Sequence, residues 1–452
     1  MLRRKATEQF EAWKGEDSRK ALLVTGARQV GKSYAIRDFA QRSYEVFIEI
    51  NLYENSRARE ALSNATDATD LITRISLLSN KPLVPGNTAV FIDEVQELPE
   101  IVTMAKFLVE DGRFDWIFSG SMLGTELKGI RSYPVGYVHD LTMHPIDFEE
   151  FCWAIGVSDA ALESIASACE TCEVLPDYLH DAIMANFRTY LTVGGMPEVV
   201  QRFLDTKGDL ASVRELQSGL NRQYRVDISK YAGNRAMQVR SIFDQLPVQL
   251  EGESQKFVVS SIDPAARYER YQRDFVWLVN AGVANKTDLV GEPKAPLLRT
   301  AQPSKFKLYQ SDTGMLLARY PQVVAQSVYL NDKRANLGGV YENVVAQGLA
   351  AQGYALHYYM TKKRGEVDFV VESQLGGAVP IEVKSGSSYH SHASLDYVLN
   401  NAEYGVELGV VFCKGNFERD GKVVYVPLYA LPFLGRILGE KDDSFKLEVV
   451  RV

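Results

Sequence analysis

The sequence predicts an α/β protein with more than one domain. Short apolar stretches alternate with helical stretches near both ends of the chain, and a mainly helical region lies between them. The length of 452 residues exceeds what one ordinary hydrophobic core supports. We therefore expect two α/β regions that are joined by a helical middle.

The first region, residues 1–151, has the pattern of a parallel sheet covered by helices. The strand-like stretch ALLVT is followed by a glycine-rich turn, the helical stretch SYAIRDFAQRS and a second strand, EVFIEINL. This order is a βαβ unit, and the strands AVFIDEV and DWIFSGS extend it. The active site of such a sheet is expected where the strands end.

The middle of the chain is predicted to contain two further regions. Residues 152–232 hold long helical stretches such as YLHDAIMANFRTYLTV, which we interpret as a helical lid. Residues 233–324 hold short helices and then two strands, VANKTDLV and KFKLYQSD, an order typical of a winged helix. Arg267, Arg270 and Arg273 recur there every third residue and predict one basic helix face, directed either at phosphates or at solvent.

Residues 325–452 are predicted to form a separate α/β domain. The helix GGVYENVVAQGLAAQG precedes the strands ALHYYMT, GEVDFVVES, AVPIEVKSG and ELGVVFCKG. The short glycine-containing link SQLGG predicts an antiparallel hairpin between the second and third of these strands. A linker is expected near PQVVAQSVYLNDK.

The composition is that of an ordinary globular protein with an acidic balance. Hydrophobic residues make up 46% of the chain, and the net charge is −8. This charge argues against nonspecific nucleic-acid affinity over the whole surface, while a local basic groove is compatible with it. The polar N-terminal stretch lacks the apolar core of a signal peptide, and no stretch reaches the roughly 18 apolar residues of a membrane span. We expect a cytoplasmic protein with no membrane partner.

The turn after the first strand carries the motif GxxxxGK[ST], which is typical of phosphate binding. Glycines let the backbone wrap around a phosphate, so that N–H groups and the N-terminus of the next helix point at it. Lys32 is expected to reach the β and γ phosphates of ATP or GTP, and Ser33 to ligate Mg²⁺. The expected nucleotide contacts are Gly26, Ala27, Arg28, Gln29, Val30, Gly31, Lys32, Ser33 and Tyr34.

A second motif, FIDEVQ, supplies the acidic half of such a site. Asp93 ends an apolar strand, from which its carboxylate can bind the Mg²⁺ shell. Glu94 follows it and is the candidate general base for the attacking water. The polar stretch Ser119-Gly120-Ser121 ends a further strand, where either serine is a candidate γ-phosphate sensor or part of an ordinary turn.

These motifs together carry a family resemblance. GARQVGKS, FIDEVQ, FSGS, SYPVGYVHDLTMHPIDFEEF and YLTVGGMPEVV resemble the prokaryotic AAA-type P-loop ATPases that have a C-terminal domain of unknown function. The resemblance covers nearly the whole chain. In that family a basic residue often follows the glycine at Gly136; this chain has Tyr137 there, with Arg131 a weak substitute.

A second constellation lies near the C-terminus and resembles the PD-(D/E)XK nuclease core. It comprises Asp368, then Glu382 and Lys384, with Glu342 on a helix before them. The strand period of two directs Glu382 and Lys384 to one face. Carboxylates such as Asp368 and Glu382 can share a divalent cation that activates water for phosphodiester cleavage, and Lys384 can orient the nucleophile.

Two interpretations of this constellation stay open. One is a nuclease-like domain that acts on double-stranded DNA or another nucleic acid. The other is a solvated charged face, or a nuclease-like fold that binds nucleic acid or protein without cleaving anything. The sequence thus predicts an ATPase, with the activity of its C-terminal domain undecided.

Overall fold

The computed structural model of the chain describes residues 2–16, 20–79, 81–121, 134–252, 255–332 and 337–440. The chain divides into two compact units, neither of which is continuous in sequence. Unit 1 comprises Met1–Ile146, Gly194–Gln245 and Val259–Ala284. Unit 2 comprises Asp147–Val193, Leu246–Val258 and Asn285–Val452.

The described helices are distributed over both units. In chain order they are α1 (Lys5–Gly15), α2 (Lys32–Ser43), α3 (Ser56–Ser63), α4 (Ala68–Ser79), α5 (Glu100–Thr103), α6 (Ala105–Asp111), α7 (Phe148–Ala154), α8 (Asp159–Thr171), α9 (Asp177–Val193), α10 (Pro197–Asp205), α11 (Leu210–Tyr231), α12 (Ala236–Leu250), α13 (Tyr268–Asn280), α14 (Thr313–Leu317), α15 (Gln322–Tyr329), α16 (Gly338–Ala351), α17 (Ala393–Asn400) and α18 (Leu434–Ile437). Among these described helices, none combines the length and the apolar character that crossing a bilayer requires.

Unit 1 contains a five-stranded parallel sheet. Its strands are β1 (Ala21–Thr25), β2 (Val46–Asn51), β3 (Thr88–Asp93), β4 (Asp115–Ser119) and β5 (Val138–Thr142). They lie in the order β2-β3-β4-β1-β5, and every neighbouring pair is parallel. The carboxyl ends of β1, β3 and β4 therefore meet at one edge of the sheet, as expected from the sequence.

The core of unit 1 explains why these strands are central. Each of the six residues of β3, TAVFID, is buried, as is usual for a parallel strand covered by helices on both faces. Val90, Ile92 and Phe118 pack in one apolar cluster with residues of the surrounding helices. The polar end of β3, Asp93, is buried too and must find hydrogen-bond partners there.

Unit 2 is built on an eight-stranded mixed sheet. Its strands are β6 (Ala284–Val290), β7 (Ala301–Gln310), β8 (His357–Thr361), β9 (Gly365–Glu372), β10 (Ala378–Val383), β11 (Gly409–Cys413), β12 (Glu418–Asp420) and β13 (Val423–Pro427). Their order is β12-β13-β11-β10-β9-β8-β6-β7. The predicted antiparallel hairpin is present as β9 and β10, in which Ile381 lies opposite Phe369.

The units differ from the consecutive regions expected from the sequence. Residues 152–193, expected in a lid, belong to unit 2, where Tyr190 accepts a hydrogen bond of 3.0 Å from Gln347. The strands expected in a winged helix, β6 and β7, are part of the sheet of unit 2, whereas α13 belongs to unit 1. The expected linker near residues 321–333 contains α15. The reason is that apolar helix and strand faces pack where a core accepts them, regardless of sequence order.

Candidate functional sites

The loop between β1 and α2 is shaped by two glycines. Gly26 has a φ of 136°, and a Cβ atom there would lie 2.2 Å from the backbone oxygen of Met143. Gly31 has a φ of 90° and caps the N-terminus of α2. Both positions suit glycine because other residues rarely adopt such angles or fit such a contact. The loop therefore leaves the first N–H groups of α2 available to an anion.

Lys32 is folded back into this loop. Its side chain is buried, and its Nζ donates hydrogen bonds to the backbone oxygens of Gly26 at 3.0 Å and Ala27 at 2.9 Å. Burial lowers the pKa of Lys32 to about 8, although Glu94 and Asp93 favour its charged form. Tyr34, also an expected nucleotide contact, is exposed.

Asp93 is the centre of a polar cluster at the strand ends. Its Oδ2 accepts hydrogen bonds from Ser33 Oγ at 2.7 Å and Asn51 Nδ2 at 3.4 Å. Its Oδ1 accepts from Ser119 Oγ and, at 2.9 Å, from the backbone N–H of Glu94. The structure thus brings together the loop, the end of β3 and the end of β4, as the two motifs predict.

Glu94 has an unusual backbone conformation. Its φ of 56° and ψ of 46° lie in the left-handed region, which non-glycine residues seldom occupy. Its Oε2 accepts a hydrogen bond from Gln96 Nε2. Such strain is often found at functional sites, where it fixes the direction of a side chain.

The two sensor candidates differ in their contacts. Ser119 is fully buried and donates to Asp93, so it orients that carboxylate. Ser121 is buried at the edge of the described segment. Arg131 lies outside the described residues.

Two residues beside the loop were not predicted. Arg4 donates from Nη1 to the backbone oxygen of Val30 at 2.9 Å and from Nη2 to that of His144 at 2.7 Å. Gly282 approaches so closely that a Cβ atom would lie 2.9 Å from the backbone nitrogen of Ala27. Neither residue lies in a recognisable motif, so the sequence contains no local signal for these contacts.

In unit 2 the four residues of the C-terminal constellation lie together. Lys384 Nζ is 2.9 Å from Glu382 Oε2, and the backbone N–H of Val383 donates to Asp368 Oδ2 at 2.8 Å. Glu342 reaches the same cluster from α16, since it interacts electrostatically with Asp368. The hairpin register places Asp368 and Glu382 on one face, as the sequence predicts.

Crowding of the carboxylates shifts their protonation. Burial, with repulsion from Glu342 and Glu382, raises the pKa of Asp368 well above its usual range. Burial also raises the pKa of Glu382, and attraction by Lys384 opposes this effect. A group of acids with raised pKa values accepts either protons or a cation.

A buried lysine that was not predicted neutralises part of this cluster. Lys307 on β7 is 0% exposed, and its Nζ lies 3.0 Å from Glu342 Oε2 and 2.6 Å from Glu366 Oε1. Tyr309 OH donates to the same oxygen of Glu342 at 2.8 Å. Burial alone would lower the pKa of Lys307, but attraction by Glu342 and Glu366 raises this pKa well above its usual value.

The described residues contain no group of three or more His, Cys, Asp or Glu side chains arranged to hold a metal ion.

The three arginines that recur every third residue, Arg267, Arg270 and Arg273, are all exposed. Asp274 beside them is buried and pairs with Arg235 instead. The exposure of the arginines fits both expectations for the series, a helix face directed at phosphates and one directed at solvent.

The parallel sheet, the glycine loop with Lys32 and the Ser33–Asp93 pair define unit 1 as a P-loop nucleotide-binding fold. Residues 18–152 match the model of the family described as an AAA domain, in agreement with the P-loop fold of this region. Residues 184–323 match a domain of unknown function (DUF8612), and residues 337–431 match another (DUF4143).

Several solved structures are similar to the chain. The Walker-type ATPase Paby2304 of Pyrococcus abyssi has 13% identity and a TM-score of 0.45, over 71% of this chain and 96% of that one. The Orc1 protein of Aeropyrum pernix, solved in complex with DNA, has 12% identity and a TM-score of 0.28, over 74% and 93%. The RuvB Holliday junction branch migration motor of Thermotoga maritima has 13% identity and a TM-score of 0.27, over 63% and 90%. No curated protein matches the sequence significantly.

Proposed function

We propose that this protein is a Mg²⁺-dependent ATPase whose nucleotide state is coupled to a DNA-associated, nuclease-like C-terminal domain. The observation that carries the proposal is the 2.7 Å hydrogen bond between Ser33 Oγ and Asp93 Oδ2. These two side chains supply oxygen ligands of the kind that Mg²⁺ prefers, next to the phosphate-binding loop.

The residues of the loop fit a nucleoside triphosphate. The Lys32 ammonium is buried against two neutral carbonyl oxygens. A phosphate binds a buried cation more strongly than a neutral carbonyl oxygen does. When a nucleotide binds, Lys32 is therefore expected to leave the two carbonyl oxygens and to donate its hydrogen bonds to phosphate. Ser33 and Asp93 would hold the Mg²⁺ ion, which would neutralise negative charge on the phosphates.

Hydrolysis requires a base that faces the attacking water. We assign this role to Glu94, whose carboxylate accepts a proton as the water oxygen bonds to the terminal phosphorus and the bond to ADP breaks. Gln96 holds the Glu94 carboxylate through its hydrogen bond. Ser119 holds Asp93, and Ser121 is the remaining candidate for a contact with the terminal phosphate.

The nuclease-like half of the proposal rests on the cluster in unit 2. Asp368 and Glu382 lie next to the last paired residues of the hairpin, Phe369 and Ile381, and interact electrostatically with each other. Lys384 pairs with Glu382 and is partly exposed to solvent. Asp368 and Glu382 are the residues that would hold a divalent cation, and Lys384 would orient the nucleophile or balance phosphate charge. Coupling to the ATPase is supported by the path of the chain, which passes repeatedly from one unit to the other.

A second candidate function is recognition of nucleic acid or of a protein without cleavage. Lys307 favours it, because this buried ammonium already neutralises Glu342 and Glu366. A cluster that contains its own cation needs a metal less than an unpaired set of carboxylates does.

One experiment separates the two candidates. Purified protein is incubated with supercoiled DNA and with single-stranded RNA in Mg²⁺, Mn²⁺ or EDTA, with and without ATP. The nuclease proposal predicts metal-dependent nicking that Lys384→Ala abolishes and that Lys305→Ala, on an exposed lysine of β7, leaves intact. Retarded mobility of the nucleic acid without nicking supports recognition instead. Absence of ATP hydrolysis in the wild-type protein refutes the ATPase proposal itself.

A further inference from the structure

One side chain of the phosphate-binding loop pairs with a distant helix. Arg28 Nη1 donates a hydrogen bond to Oδ1 of Asp227, which lies on α11, 199 residues later in the chain. Two further contacts join the same loop and helix. Gln29 Nε2 donates to Gln223 Oε1 at 2.7 Å, and Tyr224 OH donates to the backbone oxygen of Arg28 at 3.3 Å.

These contacts use one face of α11. Residues 223 and 224 lie four and three positions before residue 227, which is the spacing of neighbours on a helix surface. The next positions on that face, Lys230 and Tyr231, reach Glu97, which follows the Asp93-Glu94 motif. Lys230 Nζ is 3.8 Å from Glu97 Oε1, and Tyr231 OH donates to that oxygen at 3.4 Å. The same helix face therefore contacts both halves of the nucleotide site.

The Arg28–Asp227 pair is incompletely satisfied. Asp227 is 7% exposed, and its Oδ2 has no hydrogen-bond partner in the part of the chain that the structure describes. Burial raises the pKa of Asp227, and attraction by Arg28 opposes this effect. A guanidinium has five N–H donors and can give two of them to one carboxylate or phosphate, but in this pair Arg28 donates to Oδ1 and leaves Oδ2 unused. Asp227 is thus a partner that a phosphate can replace.

Arg28 is also close to the reacting region. It interacts electrostatically with Glu94 as well as with Asp227, and these attractions raise the pKa of Arg28 against the effect of burial. Its guanidinium lies 5.9 Å from the ring centroid of Tyr53, which follows the end of β2. A triphosphate in the loop would place its terminal group within the field of Arg28, Lys32 and Glu94 together.

We propose that Arg28 is the residue that distinguishes a nucleoside triphosphate from a diphosphate in this site. Without a terminal phosphate it pairs with Asp227 and holds the loop-facing side of α11. With a terminal phosphate it transfers to that group and releases Asp227. This inference rests on the proposed ATPase function.

The transfer has a consequence for hydrolysis. Water attacks the terminal phosphorus and loses its proton to Glu94, while the bond from that phosphorus to the bridging oxygen of ADP breaks. Negative charge moves onto the bridging oxygen during this step. An arginine on the terminal group stabilises this charge and typically raises kcat by about 10³–10⁵-fold.

The test compares ATP and ADP affinities, measured by equilibrium binding of fluorescent nucleotide analogues. Arg28→Ala is expected to weaken ATP binding about 10-fold or more, with ADP binding little changed, as expected for loss of a charge-assisted hydrogen bond. Asp227→Asn is expected to strengthen ATP binding several-fold without affecting ADP, because the competitor for Arg28 is removed. Asp244→Asn is the matched control, since Asp244 of α12 pairs with Arg225 of α11 at 2.8 Å and the proposal gives it no role.

Hydrogen exchange provides a second readout that does not depend on turnover. Exchange in residues 223–231 is expected to rise with a nonhydrolysable ATP analogue and to stay low with ADP. Equal loss of ATP and ADP affinity in Arg28→Ala, or equal exchange with both ligands, overturns the inference. If Arg28→Ala does not fold, Asp227→Asn and the exchange experiment decide. Wild-type protein that binds neither nucleotide refutes the proposed function instead.

Discussion

Ser33 Oγ lies 2.7 Å from Asp93 Oδ2, and this hydrogen bond joins two motifs that are 60 residues apart. The parallel pairing of β3 with β4, and of β4 with β1, brings the ends of β1 and β3 to the same edge of the sheet, where the contact forms. Asn51 and Ser119 converge on the same carboxylate. The strand ends of unit 1 therefore carry one connected polar cluster.

Removing the Asp93 charge is expected to uncouple nucleotide binding from Mg²⁺. In wild-type protein Mg²⁺ should strengthen ATP binding, whereas Asp93→Asn should weaken the Mg²⁺ effect about 10-fold or more, as for other disrupted metal sites. Calorimetric titration of ATP with and without Mg²⁺ measures this effect. Asp115→Asn is the control, because Asp115 begins β4 and accepts a hydrogen bond from Tyr44 OH at 2.8 Å. An unchanged Mg²⁺ effect in Asp93→Asn would remove Asp93 from the metal site.

Lys32 and Glu94 are expected to separate binding from turnover. Lys32→Ala should abolish nucleotide binding, since it removes the buried cation of the loop. Glu94→Gln should bind ATP normally and lower kcat by about 10²–10⁴-fold, which is the usual contribution of a general base. Steady-state ATPase assays with parallel binding measurements check both, and Glu100→Gln on the nearby exposed helix end serves as control. Wild-type turnover by Glu94→Gln would exclude Glu94 as the base.

The lowered pKa of Lys32 predicts a pH dependence of nucleotide affinity. In the free protein Lys32 loses its proton near pH 8, because burial lowers its pKa to about 8. A bound phosphate requires the protonated form and raises that pKa, so binding takes up a proton above pH 8. Affinity for ATP should therefore be constant below pH 8 and fall above it, by at most about tenfold per pH unit.

Binding measured between pH 7 and pH 10 tests this dependence. Lys32→Arg provides the control, since a guanidinium stays charged throughout this range. The affinity of the Lys32→Arg protein for ATP should not fall above pH 8, whatever its absolute value. Affinity that is independent of pH in the wild-type protein would show that Lys32 stays charged in the free loop.

Lys307 is expected to be a major source of stability in unit 2. Lys307→Met would leave the buried Glu342 without its cation, whereas the partly exposed Glu366 would keep Lys256 at 3.9 Å. Loss of the cation beside a buried carboxylate costs about 3–5 kcal/mol in the free energy of unfolding. Urea denaturation followed by circular dichroism measures the loss. Lys305→Met, two residues earlier on the same strand and exposed, should change stability by less than about 0.5 kcal/mol. A Lys307→Met protein as stable as the wild type would contradict the ion-pair role.

Much of unit 1 was predictable because its signals are local. The strands ALLVT, AVFIDEV and DWIFSGS are apolar runs bounded by turn residues, and each corresponds to an observed parallel strand. The strand β5 escaped prediction because VHDLT is polar and mostly solvent-accessible, so it lacks the apolar run of a buried strand. Pairing with β1, not its own pattern, makes it a strand.

The C-terminal cluster was predictable in part for a similar reason. A short link predicts the hairpin, and the strand period then places Glu382 opposite Asp368. Lys307 was not predictable, because the strand that carries it was expected in a different domain. Its buried charge is compensated by Glu342, 35 residues later, through the sheet of unit 2.

The sequence by itself determined the phosphate-binding loop, the acidic motif that follows β3 and the βαβ order that brings the two together. These features depend on spacing within short segments, where backbone geometry follows directly from residue type. The tertiary structure decided which distant side chains complete each site: Asp227 for Arg28, Arg4 for the loop backbone, and Lys307 for the acids of unit 2. Such pairs are selected by burial, because a buried charge requires a partner, and the partner is whichever group the packing brings near.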